Sequence, residues 1–256
     1  MLISTEHKRN SQSLASLPFL CHCPNEEGFE ATFLDLILKS NIQQPYNGGT
    51  RLGLYYQWLV SETLKASSSY QVLAEELQII QSGRTIGALD FLLHNQRSNQ
   101  IEHWEVAIKF YLHYQGKWLG PNAHDQLDKK YHHMRDKQLG LTLHPAYKEQ
   151  YGEKLGRAQK HRLIMQGILF HHIDESPPPL PQWINPNVYQ ACWAYYDQVT
   201  PSQWQKLDKM QWIAPPLFTG SNLQLSDDVK PAQCINQGGE RLFIMPRTWP
   251  RVTFQQ

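Results

Sequence analysis

The alternation of apolar and polar positions is sharpest between residues 85 and 112. There TIGALDFLLHN, QRSNQ and IEHWEVAIKFYL read as two strands joined by a polar turn. Period-2 spacing in the second strand puts Trp104, Val106, Ile108, Phe110 and Leu112 on one face and His103, Glu105, Ala107 and Lys109 on the other. The first strand is almost wholly apolar, with Asp90 in its middle. Ahead of it, YQVLAEELQII at 70–80 predicts another strand. Its Glu75 and Glu76 suit a bulged or edge position, and SGR at 82–84 supplies the turn.

Helical spacing marks three segments: 28–40, with Phe29, Phe33, Leu36 and Ile37; 51–66, with Leu52, Tyr56, Leu59 and Thr63; and 122–138, with Leu127, Tyr131, Met134 and Gln138. RLIMQGILFHH at 162–172 reads as a buried strand reached by a crossover, which makes the sheet mixed. Residues 1–13 are polar and expected to be loose. ESPPPLPQ at 175–182 reads as a linker, because consecutive prolines favour extended geometry. The expected organisation is an N-terminal extension over 1–47, an α/β core over 48–174 and a C-terminal appendage over 175–256. The appendage is rich in rings (Trp183, Trp193, Tyr195, Tyr196, Trp204, Trp212, Trp249) that serve as its core or stack on bases, and it holds a late strand at 241–246.

Burying a lone carboxylate is costly, so Asp90 calls for a proton, a cation or a metal. A turn centred between Arg97 and Ser98 sets Asp90 opposite Glu105, with Cβ atoms roughly 5 Å apart. A centre one residue later sets it opposite Ala107, with Glu105 and Lys109 on the diagonals. In either register the three groups share a face. Facing carboxylates need a positive group between them, which Lys109 or a divalent cation would supply.

The runs RLGLYYQWLV, GALDFLLHN, WEVAIKFYL and LGPNAHDQLDKKYHHMRDKQL, within about residues 48–172, resemble the PD-(D/E)XK phosphodiesterase superfamily, and within it a bacterial family of unknown function. The resemblance implies a restriction-endonuclease-like core: helix, three-strand meander, helix and strand, with a mixed sheet flanked by helices. It also implies a nuclease in which Asp90 and Glu105 hold Mg²⁺ or Mn²⁺ and Lys109 orients water or stabilises the developing oxyanion. Gln57 falls where the superfamily's first helix often brings a Glu, and Lys130 matches a Lys of the crossover helix. Two departures stand out. The acid expected two before the Lys is Ala107, and Glu105 lies four before it, ~13 Å away along a strand instead of ~7 Å. Gln57 is a neutral amide, a weak ligand for a divalent ion. Both departures favour a second reading, in which the nuclease fold survives as a nucleic-acid or protein binding module and the three charged groups form a buried ion network.

Composition narrows the partners. With 24 basic and 23 acidic residues the net charge is +1, so no global field attracts nucleic acid and any binding needs a local patch. One candidate is the polar side of 122–138, which carries Lys129, Lys130, His133 and Lys137; the bland alternative is a solvated face. Four cysteines do not make a disulfide framework in 256 residues, and Cys21, His22 and Cys23 are spaced wrongly for a structural zinc. HExxH, Walker, GxGxxG and GxSxG motifs are absent, and no apolar run approaches ~20 residues, so a soluble, cytoplasmic chain is expected.

Overall fold

A computed structural model describes residues 4–21, 28–224 and 230–251. Three helices lead the chain: α1 (Ser4–Ala15), α2 (Phe29–Lys39) and α3 (Leu52–Ala66). The meander follows as β1 (Tyr70–Gln81), β2 (Arg84–Asn95) and β3 (Gln100–Tyr114), with short β4 (Lys117–Leu119) folded back on the end of β3. Helix α4 (Leu127–His133) then crosses to β5 (Lys160–His172), which lies parallel to β3 from Glu102↔Lys160 to Leu112↔Phe170. Beyond lie β6 (Gln190–Tyr195), β7 (Gln205–Lys206), β8 (Ala232–Ile235) and β9 (Arg241–Met245). The sheet runs β1-β2-β3-β5-β6-β9-β8-β7, with β3, β5, β6 and β9 parallel and antiparallel pairs on both flanks.

This is a mixed α/β protein with one large mixed sheet flanked by helices. The residues of α1, α2 and α3 pack with Trp104, Val106, Ile108 and Phe110 of β3, while α4 packs with Ala107 and Tyr111 on the reverse face. Trp104 is fully buried and meets Phe29 and Tyr70 edge-on at 5.2 and 5.0 Å, contacts each worth about 0.5–1.5 kcal/mol beyond area burial. Buried Gln166 ties α1 to the sheet. It accepts from the Tyr56 hydroxyl and donates to the Leu14 and Leu17 carbonyls, so its amide costs little to bury.

Two expectations need correction. Residues 4–15 form a helix instead of a loose end, since His7, Asn10, Ser11 and Leu14 share a buried face. The Tyr55 hydroxyl pairs with His7 Nδ1 at 2.9 Å and accepts from Asn10 at 2.7 Å, so this helix is seated by polar groups. The helix expected from residue 122 begins at Leu127, because the Asn122 side chain accepts from the His124 and Asp125 N–H groups and holds a turn. It ends in a wider π turn over Met134–Gln138. After the Pro-rich stretch the chain continues the same sheet: β6 pairs with β5, and the Trp193 indole donates to the His113 carbonyl. Its Trp193 and Trp249 are buried, as ring-core packing requires. Strand β1 lies at the sheet edge, as its two glutamates suggested, and its pairing with β2 is irregular at Val72/Ala74 and Ile79/Ile80.

Candidate functional site: a cleft where two strands part

The β2–β3 ladder runs from Asn95↔Gln100 to Phe91↔Trp104 and stops. One step further this register sets Asp90 opposite Glu105, the first of the two alignments the turn allowed. At that step side chains replace the ladder. Asp90 Oδ2 accepts from the Val106 N–H at 2.9 Å, and Glu105 Oε1 accepts from the Asp90 N–H at 3.3 Å. From here β2 follows β1 while β3 follows β5, and the fork opens a cleft of about 720 Å³.

Asp90, Gln57, Lys109 and Lys130 all line this cleft, so four residues from α3, β2, β3 and α4 converge. Lys109 Nζ reaches Asp125 Oδ2 at 2.9 Å, and both groups remain partly open to solvent. Its backbone sits against Gly167 of β5, where any Cβ would overlap the Lys109 carbonyl. Burial and the neighbouring Lys109 lower the Lys130 ammonium, while Asp125, Asp90 and Glu105 raise it. Arg51, Lys209, Trp212 and Gln138 complete the functional lining. Lys129, His133 and Lys137 are exposed and lie outside the cleft wall.

Glu105 stands behind the wall and is fully buried. Its Oε1 pairs with His103 Nε2 at 2.8 Å, and its Oε2 accepts from Gln138 at 2.9 Å. Burial pushes the Glu105 carboxyl up to about 8 and the His103 ring down to about 4, so the pair rests neutral with a proton between them. Burial first, and the Glu105 charge second, push Asp90 up to about 7.

The donor set does not fit a Mg²⁺ or Mn²⁺ centre. Such ions seek several hard oxygens in near-octahedral array. Among the described residues Asp90 is a cleft carboxylate with no ion pair to a cation, Asp125 is held by Lys109, and both Glu105 oxygens are already engaged. Ala107 brings a methyl group to the cleft wall and no metal ligand. Among the described residues no three His, Cys, Asp or Glu side chains gather at a metal-binding distance. Buried Cys21 sits against Met165, and His22 and Cys23 lie outside the described residues.

Sequence reading missed Arg51, Asp125, Gln138, Lys209 and Trp212 as cleft residues. Gln138 was visible as the end of the α4 stripe, and Arg51 as the residue before α3. Lys209 and Trp212 carry no local signal: a short turn brings them to the cleft from a hundred residues beyond Lys109.

Fold and cleft together define a mixed α/β protein with a cationic cleft at a strand fork. Residues 32–237 match the family described as Domain of unknown function (DUF1853), and the chain belongs to that family. No curated protein and no solved structure matches it. Among the described residues no helix is long and apolar enough to cross a membrane.

Proposed function

We propose that the cleft holds the phosphodiester backbone of a nucleic acid and that the chain is a binding module built on a restriction-endonuclease-like core. One observation carries this reading: Arg51, Lys109, Lys130 and Lys209 converge on the cleft against the carboxylates Asp90 and Asp125. An excess of cations in a recessed, partly dehydrated space favours an anionic ligand, and Lys and Arg neutralise phosphates without sequence readout. The amides of Gln57 and Gln138 add neutral hydrogen-bonding groups to the same wall.

A second reading is a metal-dependent phosphodiesterase. It is favoured by Asp90 standing in the same cleft as Lys109 with a carboxyl that holds a proton near neutrality. It requires Glu105 to leave His103 and Gln138.

Two measurements separate these readings. The first is fluorescence anisotropy of a labelled oligonucleotide at low salt, with wild type and Lys130→Ala. Binding is expected, and the variant should lose affinity and flatten the slope of log affinity against log salt by ~0.7–0.9, the contribution of one phosphate contact. The second is calorimetric titration of Mn²⁺ into wild type and Asp90→Ala, with circular dichroism to verify folding. Oligonucleotide binding without Mn²⁺ uptake supports the module. Saturable Mn²⁺ binding that Asp90→Ala abolishes, together with strand cleavage, would replace it by the hydrolase. Failure of the wild type to bind any oligonucleotide would refute both.

A further inference from the structure

Resting on the nucleic-acid reading of the cleft, we infer that its ligand is a single strand, threaded through the fork from one face of the sheet to the other with a base against Trp212. The first ground is where the lining comes from. Arg51 and Gln57 belong to the start and second turn of α3, and Lys209 shares a short turn with Trp212; α3 and Trp212 both pack on the Trp104 face of β3. Lys109, Lys130 and Gln138 stand on the opposite face, with α4 and its π extension. Strand alternation puts these groups on two sides of one sheet, yet all line one cleft. An opening through the sheet accounts for that, and it lies along the side of β3 from Glu105 to Tyr111. Among the described residues that side pairs with no strand: β2 has left at Phe91↔Trp104 and β4 joins only at Leu112.

The second ground is size. About 720 Å³ lies within the ~300–1,000 Å³ of sites that enclose one small ligand. A stretch of sugar, phosphate and base from one strand suits such a space, whereas a base-paired helix would have to be gripped from outside. Cations on both sides of the opening can follow one backbone as it passes through. The β3 edge between them adds main-chain donors and acceptors.

The third ground is Trp212. It lines the cleft half-buried, braced edge-on by Phe110 at 5.6 Å and Phe243 at 5.1 Å. Its carbonyl is pinned by half-buried Arg241, and its indole nitrogen is buried with no hydrogen-bond partner among the described residues. A ring held rigidly beside lysines is the usual platform for stacking an unpaired base. A duplex offers no such base, since its faces are already stacked.

The test compares labelled oligo-dT with the same strand annealed to oligo-dA, using the full chain at low salt. The single strand is expected to bind at least about ten-fold tighter and to quench tryptophan emission. Trp212→Ala should cost the single strand about ten-fold or more, while Trp212→Phe, which keeps a ring, should retain most of the affinity but show reduced quenching. Lys130→Ala and Lys209→Ala, on opposite faces, should each lower the salt slope. Equal affinity for duplex and single strand, or a folded Trp212→Ala with unchanged affinity, would overturn the threading inference while leaving the phosphate-binding reading intact. No binding of either form would overturn both.

Discussion

Replacing Glu105 by Gln probes the proton held at the fork. The amide keeps the shape of the carboxylate and can still accept from the Asp90 N–H. Gln138, whose Oε1 has no partner among the described residues, can turn its own amide to accept from the new NH₂ group. Burial pushes Glu105 from an ordinary value near 4.5 up to about 8, so between those values the folded chain keeps a proton that the unfolded chain has lost. Each pH unit of that gap removes ~1.4 kcal/mol of stability as the pH rises, on the order of 5 kcal/mol in all. The loss is absent below about 4.5, grows to about 8 and is constant above. Asp90, pushed up to about 7 by burial and by Glu105, changes in the same direction, and the variant relieves the part due to the Glu105 charge. His103 and His161, both lowered to about 4 by burial, act in the opposite sense, but only below their ordinary value near 6.5. Above it the carboxyls stand alone. Urea unfolding followed by circular dichroism should therefore find the two proteins closest near pH ~5 and the variant gaining steadily to pH ~8, by up to ~4 kcal/mol. A wild type that keeps a constant margin over the variant from about pH 6.5 to about pH 9 would refute the shared-proton account.

Two further substitutions test the frame that holds the cleft. Gly167→Ala should destabilise by about 3 kcal/mol, the upper end of over-packing, because the new methyl meets main chain at Lys109 instead of a yielding side chain; chemical denaturation reads it directly. Trp193→Ala should cost about 3–5 kcal/mol, since the ring is buried against Trp249 and bonded to the His113 carbonyl. Because β6 pairs with β5, it should shift one cooperative transition, and a separate early transition would show that the C-terminal segment unfolds by itself.

The hairpin was readable because its signal is local. Alternation fixed the faces of β3, and the polar turn left two registers, of which the structure takes the one that opposes Asp90 and Glu105. Strand alternation brought Lys109 beside Asp90, whereas Gln57 and Lys130 were reached only through the family resemblance; all of them line the cleft with Asp90. What could not be read was depth. Same-face alternation cannot say that Glu105 lies behind the wall while Asp90 lies in it; that follows from Gln138 and His103 closing over Glu105. Helix α1 was missed because its buried face is polar, with His7 and Asn10 meeting a tyrosine hydroxyl. Lys209 and Trp212 were missed because only long-range pairing of the last strands carries them to the site.

That pairing sets an order of assembly. β8 and β7 reach the sheet only through β9, and Arg241 of β9 holds the Trp212 and Ile213 carbonyls. As the polypeptide leaves the ribosome, α3 and β1 to β5 can close the fork once residue 172 is free. The wall carrying Lys209 and Trp212 must wait until β9, at 241–245, inserts between β6 and β8. A nascent chain halted before that strand would display an unfinished cleft, with Arg51, Lys109 and Lys130 in place and the Lys209 and Trp212 side of its rim missing.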